Sequence, residues 1–399
     1  MEFKDLNIKQ EIIKALNELD ITTPTEIQEK SIPIIQSGYD LIGISKTGSG
    51  KTLAFCAPII ERIDQQKNIQ ALVIAPTREL AQQIYQEIKK FSKYCPLNAS
   101  IIYGGVSMQP QINSLKTAQI VVGTPGRLND HIRRRNINFS NVKFLVLDEA
   151  DKMVEMGFIQ DVIEIIKQLP KKRQTILFGA TISDEILMLK SKYMIEPKTV
   201  KLQLQVESDL LDQFYYDLQP GEKFSYLVHL LRKETQKLVI IFCNTRHQTD
   251  NLSKNLKKQG LDAKAIHGGL SQNKRLEVIS GFHKGRPVIL VATAVAARGL
   301  DIKNVTHIYN YDLPKDPQEY IHRIGRTARA GEKGMAITLL TDRDHEFFRA
   351  ILGKYPIKIQ KLDKERFERV TYDSGKRNFD KRGHGGFDRR PNLKSRYRR

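Results

Sequence analysis

A glycine-rich segment near the start of the chain has the composition of a phosphate-binding loop. Residues 45–52 read SKTGSGKT and lie between an apolar run, 41–44, and a stretch that predicts an apolar helix. Glycines let backbone N–H groups approach phosphate oxygens, and the N-terminus of the following helix adds a favourable dipole. Lys51 would reach the terminal phosphates, and the Thr52 hydroxyl would bind Mg²⁺. The predicted contacts are Ser45, Lys46, Thr47, Gly48, Ser49, Gly50, Lys51 and Thr52.

The first position of this pattern is usually glycine, and here it is Ser45. A glycine-rich turn that happens to contain a lysine is therefore the alternative interpretation. The next motif along the chain argues against it.

An acidic group follows another buried strand. Asp148, Glu149 and Asp151 come directly after the apolar run 144–147. The carboxyl ends of parallel strands face the crevice where ligands bind. Asp148 can hold Mg²⁺ directly or through water, and Glu149 can orient and deprotonate an attacking water. An acidic helix N-terminus is the alternative, but a phosphate loop upstream favours hydrolysis of a nucleoside triphosphate.

Apolar runs that predict buried strands alternate with amphipathic helical patterns in both halves of the chain. Because strands buried on both faces are typical of parallel sheets, we expect an α/β fold of two lobes, each a parallel sheet flanked by helices. The predicted strands lie at 71–75, 120–122, 144–147, 175–178, 238–242, 288–291, 307–309 and 335–339. The predicted boundaries are 1–202 for the first lobe, 203–212 for a linker, 213–363 for the second lobe and 364–399 for a tail.

The string Asp-Glu-Ala-Asp at 148–151 resembles the motif that gives the DEAD-box RNA helicases their name. Other stretches resemble the remaining motifs of that family, in the same order, from Phe3 to Arg329. The resemblance implies two RecA-like lobes with ATP, Mg²⁺ and RNA bound across the cleft between them. It also implies an RNA-stimulated ATP hydrolase that separates RNA duplexes locally and without processive tracking.

The resemblance also assigns residues to roles. Gln28 would hydrogen-bond the adenine edge, Phe3 would pack on the adenine ring, and Asp301 would contact the ribose. Arg326 and Arg329 would act as arginine fingers on the γ-phosphate. The implied catalytic residues are Lys51, Asp148, Glu149, Arg326 and Arg329, with Thr52 and Asp148 at the metal. The implied RNA contacts are Pro76, Thr77, Arg78, Gly105, Thr124, Pro125, Gly126, Arg127, Gln272, Arg275 and Thr293.

Lys51 and Arg326 lie in different predicted lobes, so the catalytic site would be complete only when the lobes close. An arginine finger supplied in this way is typically worth about 10³–10⁵ in rate. The RNA motifs also lie on both lobes, so ATP and RNA binding would be reciprocally coupled through closure.

Three positions depart from the family pattern. Gly179 stands where serine is usual, Ala294 stands where aspartate is frequent, and Asp20-Ile21 replaces a glycine-aromatic pair. The first two changes remove polar groups, so we expect hydrolysis to be weakly coupled to unwinding. Two other functions therefore stay open: an ATP-gated RNA clamp or annealing scaffold, and a DNA translocase.

The chain carries a net charge of +20 over 399 residues, which favours a polyanionic partner. Residues 375–399 hold ten Lys or Arg against two Asp. We expect the tail to be disordered and to serve as a nonspecific RNA tether, with a solubilising terminus as the alternative. The three cysteines show no metal-like spacing, and no apolar run is long enough for a membrane helix. These features predict a soluble, cytoplasmic, monomeric protein.

Overall fold

The computed structural model describes residues 1–45, 48–66, 68–202, 210–233, 237–297, 305–328, 332–355 and 357–374. The first-lobe strands are β1 Leu41–Ile44, β2 Ala71–Ile74, β3 Ala99–Ile102, β4 Ile120–Gly123, β5 Phe144–Leu147, β6 Gln174–Gly179 and β7 Lys198–Lys201. Its helices are α1 Gln10–Asn17, α2 Glu26–Gln36, α3 Lys51–Arg62, α4 Arg78–Phe91, α5 Gln109–Leu115, α6 Pro125–Arg133, α7 Ala150–Glu155, α8 Ile159–Ile166 and α9 Asp184–Tyr193.

The second-lobe strands are β8 Leu211–Asp217, β9 Leu238–Cys243, β10 Ala263–Ile266, β11 Ile289–Thr293, β12 Val305–Asn310, β13 Gly334–Leu340 and β14 Gln360–Lys361. Its helices are α10 Lys223–Lys233, α11 Arg246–Lys258, α12 Gln272–His283, α13 Ala294–Ala297, α14 Pro317–Ile324 and α15 His345–Lys354. Short 3₁₀ turns cover Phe3–Leu6 and Asp342–Asp344. Within the described ranges, no helix is both long and apolar enough to cross a bilayer.

Both sheets are parallel, and their strands follow the same order. The first runs β3-β4-β2-β5-β6-β1-β7 and the second β10-β11-β9-β12-β13-β8-β14. The two orders coincide position by position. β8 takes the place of β1, β14 takes the place of β7, and the other five strands correspond in the same way. The predicted fold class, two RecA-like lobes built on parallel sheets, is confirmed.

Alternate residues of each central strand enter two different cores. In β2, Ala71 and Val73 pack into one cluster, whereas Leu72 and Ile74 pack into the other. In the second lobe, β9 divides its side chains between two clusters in the same way. Since successive side chains of a strand point to opposite faces, this division shows that helices cover both faces of each sheet. The continuous apolar runs in the sequence are explained by that double burial.

The predicted boundary between the linker and the second lobe needs a correction. Leu211 and Asp212, assigned to the linker, belong to β8 and pair with Gly334 and Met335 of β13. Most of the remaining linker, 203–209, lies outside the described residues.

The prediction of disorder from Lys364 onward is wrong for residues 364–374, which we call the C-terminal strap. Phe367, Val370 and Tyr372 pack on the apolar cluster beneath α10. Phe367 meets the Tyr226 ring edge-on at 5.1 Å between centroids. These three side chains anchor the eleven residues of the strap, and a prediction from composition alone does not detect them. Residues 375–399 lie outside the described part of the chain.

Candidate active site and nucleic-acid interface

Three loops that carry motifs emerge side by side from the first sheet. The phosphate loop follows β1, the acidic box (residues 148–151) follows β5, and Ala180-Thr181 follows Gly179 at the end of β6. These strands are neighbours in the order β5-β6-β1. Because the carboxyl ends of parallel strands face a common crevice, the fold places the three loops at one site.

Gly50 marks the point at which the phosphate loop becomes α3. Its φ is 92°, in the left-handed region that side chains disfavour, and a Cβ there would lie 2.3 Å from Nε2 of Gln28. Gly48 also has a positive φ, of 82°. The first N–H groups of α3 have no partner within the helix and are available to an anion. Lys46 and Thr47 lie outside the described residues, so their predicted contacts are untested.

Lys51 and Ser45 lie at opposite ends of this loop and contact each other. Lys51 is buried, and its Nζ donates to the Ser45 carbonyl at 3.3 Å. The Ser45 hydroxyl is 2.9 Å from that of Ser49, so the serine that replaces glycine forms a hydrogen bond across the loop. Thr52 is partly exposed in the first turn of α3, where its hydroxyl is accessible to a metal ion.

Thr25 and Gln28, at the start of α2, form hydrogen bonds with the phosphate loop. The Gln28 side chain accepts a hydrogen bond from the Thr25 N–H and donates one to the Gly50 carbonyl, at 2.9 and 3.0 Å. Thr25 Oγ1 donates to the Ser49 carbonyl at 2.8 Å. Gln28 retains a second amide N–H with which the predicted adenine contact can be made.

Phe3 has a different place from the one that its predicted role requires. Its side chain is 2% exposed and belongs to the core cluster that contains Leu6 and Ile27. In this structure the ring therefore packs within the protein, and stacking on adenine would require it to move.

Asp148 is a buried carboxylate beside the phosphate loop. Burial raises its pKa to about 7, although the positive charge of Lys51 acts in the opposite direction. Lys51 is therefore close enough to act electrostatically on Asp148. A cation near Asp148 would offset the cost of burying its charge, and carboxylate and hydroxyl oxygens are the ligands that Mg²⁺ prefers. Among the described residues no group of three or more His, Cys, Asp or Glu could hold a metal. The metal contacts of Thr52 and Asp148 stay a prediction.

Glu149 has a strained backbone at the end of β5. Its φ is 51°, and its side chain is buried. A non-glycine residue held in this region costs about 1–3 kcal/mol, and such strain concentrates at functional sites. The role of Glu149 in positioning a water molecule stays a prediction.

Asp151 connects the acidic box to the loop after β6. Its Oδ2 accepts hydrogen bonds from the N–H groups of Ala180 and Thr181, at 2.9 and 3.1 Å, and from the Thr181 hydroxyl at 3.3 Å. A Cβ at Gly179 would lie 3.3 Å from Oδ1 of Asp151. The missing serine side chain therefore leaves Asp151 held by backbone N–H groups and one hydroxyl.

The arginine-rich motif of the second lobe lies against the acidic box. Lys152 Nζ, in α7, is 2.6 Å from Nδ1 of His322 in α14. Arg326 is buried, and its Nε donates to the His322 carbonyl at 3.3 Å. Arg326 and Ala294 line the same small crevice. Arg329 and Asp301, predicted to contact the γ-phosphate and the ribose, lie outside the described residues.

The contacts of Arg323, the remaining arginine of this motif, indicate a structural role. It is 2% exposed and donates to the Asp312 carbonyl and to Oδ1 of Asn244. These bonds join α14 to the loop ends of β12 and β9. The motif therefore divides into one arginine that builds the lobe and others that the sequence assigns to catalysis.

The predicted RNA motifs of the first lobe occupy the other half of the same sheet edge. They follow β2, β3 and β4, which are neighbours in the order β3-β4-β2. The Arg78 guanidinium lies over the loop after β3, where a Cβ at Gly105 would be 2.3 Å from Nη1. Arg127 donates both Nη groups to the Val106 carbonyl, each at 3.2 Å. The arginines thus hold the three loops together.

Helix N-termini face this half of the edge. Thr77 caps α4 by accepting from the Leu80 N–H, with Pro76 just before it, and Thr124 is the cap residue of α6. Pro125 is the first residue of α6, and a Cβ at Gly126 would have open space around it. Helix N-termini and arginines are suited to phosphates, and contacts of this kind position a backbone without reading bases.

Gln272 and Arg275, also predicted to bind RNA, contact the first lobe instead. Gln272 Nε2 donates to Oε1 of Glu79 at 3.0 Å, and Arg275 Nη2 is 3.1 Å from the same oxygen. Arg78 Nη1 is 3.4 Å from Oε1 of Gln272. The two polar side chains of α12 therefore hold the lobes together through a buried carboxylate, and their contact with RNA stays a prediction. Thr293 ends β11 and is buried.

Comparison with known proteins identifies the family. The model of the DEAD/DEAH box helicase domain matches residues 25–189, and the model of the helicase conserved C-terminal domain matches residues 222–331. The ATP-dependent RNA helicase CshA of Listeria monocytogenes is 46% identical over 353 residues, which are 88% of this chain and 68% of that protein. The chain belongs to the DEAD-box helicases.

Solved DEAD-box structures resemble this chain in both lobes. S. cerevisiae Dbp5 bound to RNA and ADP BeF3 superposes with a TM-score of 0.83 at 32% identity, over 90% of this chain and 95% of the yeast chain. A point variant of Dbp5 bound to Nup159, Gle1, IP6 and ADP gives 0.64 at 30% identity, over 89% and 95% of the respective chains. The lobes of this helicase are therefore arranged more like those of the RNA-bound yeast protein.

Motif reasoning missed three contributors to the site of this DEAD-box protein. Glu79, Gln318 and Lys152 are not among the predicted site residues, but they contact Gln272, Thr181 and His322 respectively. Each contacts the opposite lobe, and no local pattern in the sequence reports such a contact.

Proposed function

We propose that this protein is an ATP-dependent RNA helicase that separates short RNA duplexes locally when its two lobes close on ATP. The observation that carries the proposal is the contact of Lys152, the residue directly after the acidic box, with His322 of the arginine-rich motif. The first motif belongs to a triphosphate site, and the second supplies cations from the other lobe. Hydrolysis and lobe closure are therefore linked by geometry.

The first lobe supplies the binding and positioning of ATP. The loop N–H groups around Gly50 and the buried Lys51 would bind the phosphates, with Gln28 at the adenine edge. Thr52 and Asp148 would hold Mg²⁺, which neutralises phosphate charge and orients the triphosphate. Glu149 would orient the attacking water and accept its proton.

The second lobe supplies the groups that complete catalysis. Arg326 is already buried at the lobe boundary, next to the His322 carbonyl. Together with Arg329 it would stabilise the charge that develops on the γ-phosphate. Because these arginines belong to the second lobe, the open protein should hydrolyse ATP slowly.

RNA would lie along the half-edges formed by β3-β4-β2 and β10-β11-β9. The side chains and helix N-termini there suit sugar and phosphate contacts, so binding should be insensitive to base sequence. A strand held by both lobes is bound tightly only in the closed state, and hydrolysis would reopen the lobes. Unwinding would consequently be local. Residues 375–399, with a net charge of +8, would tether the enzyme nonspecifically to RNA. The enzyme would act as a monomer.

Two alternatives make different predictions. An ATP-gated RNA clamp is favoured by Gly179 and Ala294, which lack the polar groups that are usual in the family, and it would bind RNA tightly with ATP but separate few duplexes. A DNA translocase would be stimulated by DNA, since phosphate contacts do not distinguish the two nucleic acids whereas 2′-OH contacts do.

The test measures ATP turnover with single-stranded RNA, duplex RNA and DNA, together with duplex separation. We expect stimulation by RNA only, and separation of a short duplex. Glu149→Gln should lower turnover by about 10²–10⁴ while RNA binding is retained. Stimulation by DNA would favour the translocase, and ATP-dependent RNA binding without separation would favour the clamp.

A further inference from the structure

His267 lies directly after β10, and its ring makes two hydrogen bonds. Nε2 is 2.9 Å from Oδ1 of Asp250 in α11, and Nδ1 is 3.1 Å from the backbone nitrogen of Gly269. A backbone N–H can only donate, so Nδ1 accepts and the ring proton resides on Nε2. The His267 side chain is 6% exposed. The imidazole therefore connects α11 to the turn that follows β10.

The turn packs closely on this imidazole. A Cβ at Gly269 would lie 3.0 Å from Nδ1 of His267, and a Cβ at Gly268 would lie 3.3 Å from Nη2 of Arg246. The Leu270 N–H also donates to the His267 carbonyl at 3.2 Å. Because Gly268 packs against the Arg246 guanidinium and Gly269 against the His267 imidazole, the path of the backbone depends on where His267 is held.

The turn leads at once into α12. Ser271 is the cap residue, and its carbonyl accepts from the Arg275 N–H at 3.0 Å. Gln272 begins the helix, three residues after Gly269. Gln272 and Arg275 are the residues that contact Glu79 across the lobe boundary. A shift of the turn would therefore move both side chains away from Glu79.

We propose that His267, in its neutral Nε2–H form, is a positioning residue for RNA-dependent lobe closure. It fixes the Gly268-Gly269 turn and thereby sets the register of α12 against Glu79. Asp250 holds the tautomer and the ring orientation. The proposal rests on the helicase function proposed above, because RNA-stimulated ATP hydrolysis is one of its readouts.

Two substitutions separate the two hydrogen bonds of the ring. His267→Asn keeps an acceptor near the position of Nδ1 and loses the contact with Asp250. His267→Gln keeps a donor near the position of Nε2 and loses the contact with Gly269. Since each variant loses one hydrogen bond, the two should have similar melting temperatures, which makes them matched controls for each other.

ATP hydrolysis is measured as a function of RNA concentration in the full chain. His267→Gln should raise the RNA concentration for half-maximal activity about three- to tenfold, the effect of one lost hydrogen bond on the closed state. The turnover number at saturating RNA should stay within about twofold. His267→Asn should raise the half-maximal RNA concentration less than His267→Gln, because it keeps the contact with Gly269 although it loses the anchor on Asp250. Equal effects of the two substitutions would overturn the proposal in favour of a general structural role.

A double-mutant cycle with Glu79→Gln tests the route through α12. If His267 acts by placing Gln272 and Arg275 on Glu79, His267→Gln should have little further effect once Glu79 is changed. Independent, multiplicative effects would contradict the proposed route.

Hydrogen exchange of the Gly269 amide provides a readout that needs no enzymatic activity. Exchange should be slow in the wild type and in His267→Asn, and fast in His267→Gln. Slow exchange in all three would overturn the proposed contact. A wild-type chain with slow exchange but no RNA stimulation would instead count against the helicase function itself.

Discussion

Gln318 of the second lobe donates a hydrogen bond from Nε2 to the hydroxyl of Thr181 in the first lobe, at 3.2 Å. The same hydroxyl donates to Oδ2 of Asp151 at 3.3 Å. A single side-chain oxygen therefore links the acidic box to α14, the helix that leads into the arginine-rich motif. This link forms even though residue 179 is glycine instead of the serine that is usual in the family.

Replacement of Thr181 by valine should uncouple the two lobes with little change in volume. The hydroxyl that joins Asp151 to Gln318 is lost, at a cost of about 0.5–1.5 kcal/mol to the closed state. We expect duplex separation per unit time to fall roughly three- to tenfold, while ATP affinity, measured with a nonhydrolysable analogue, is unchanged. Thr181→Ser retains the hydroxyl and should stay close to the wild type. An equal loss in both variants would show that the methyl contact matters rather than the link.

Gly50→Ala should damage the nucleotide site, and Gly38→Ala is its control. Both glycines have left-handed backbones, with φ of 92° and 86°, so each substitution carries a conformational cost of about 1–2 kcal/mol. Only at Gly50 would the new Cβ collide with Gln28, whereas nothing lies within 4 Å of a Cβ at Gly38. We expect a lower melting temperature in both variants and a loss of ATP binding in Gly50→Ala alone. Normal ATP binding by Gly50→Ala would refute the proposed loop geometry.

Gly179→Ser combined with Ala294→Asp should raise the number of duplexes separated per ATP hydrolysed. The added polar groups would lie beside Asp151 and in the crevice that Arg326 lines. A Cβ at residue 179 comes within 3.3 Å of Asp151, so Asp151 must shift by a few tenths of an ångström. Gly179→Ala has the same crowding without the hydroxyl and is the matched control. An unchanged ratio of unwinding to hydrolysis would dispose of the coupling hypothesis.

Removal of residues 375–399 should weaken RNA binding without changing thermal stability. These residues carry ten basic side chains, and each phosphate contact that is lost reduces the salt dependence of binding. The measurement is RNA affinity over a range of salt concentrations. Unchanged affinity and slope at low salt would indicate a solubilising terminus.

A longer truncation, after Leu362, serves as the structural comparison. It also removes the C-terminal strap, which includes the ion pair of Lys364 with Glu222 and the packing of Phe367 and Tyr372 on α10. The melting temperature should therefore fall only in this second variant. An equal melting temperature for the two would mean that the strap contributes no stability.

The sequence was informative wherever function depends on local pattern. The strand that ends at Leu147, the glycines before Lys51 and the carboxylates at 148–149 are recognisable because strand burial and phosphate binding need particular residues at short spacing. In the second half, β9, β11, β12 and β13 were predicted for the same reason, whereas β8, β10 and β14 were not.

Contacts between distant segments could not be derived in this way. Glu79 and Arg275 pair across 196 positions, and Thr181 and Gln318 across 137. Such pairs depend on how complete lobes dock, which no short window encodes. Phe3 is a different case: the resemblance assigns its ring to adenine, whereas in this structure the ring packs in the core, so its predicted contact stays untested. The strap was wrongly predicted to be disordered because that prediction rested on its charged composition and not on its three anchoring side chains.

The position of β13 has a practical consequence for anyone who divides this protein into fragments. The C-terminal family match stops at residue 331, but β13 begins at Gly334 and lies between β12 and β8. A fragment cut at the end of the match would lose a central strand and expose the backbones on both sides of the gap. Expression of the second half alone, or a fusion partner at its end, is better planned with the terminus after Ser374, where the last described contact, from Asn251 to the Ser374 carbonyl, is preserved.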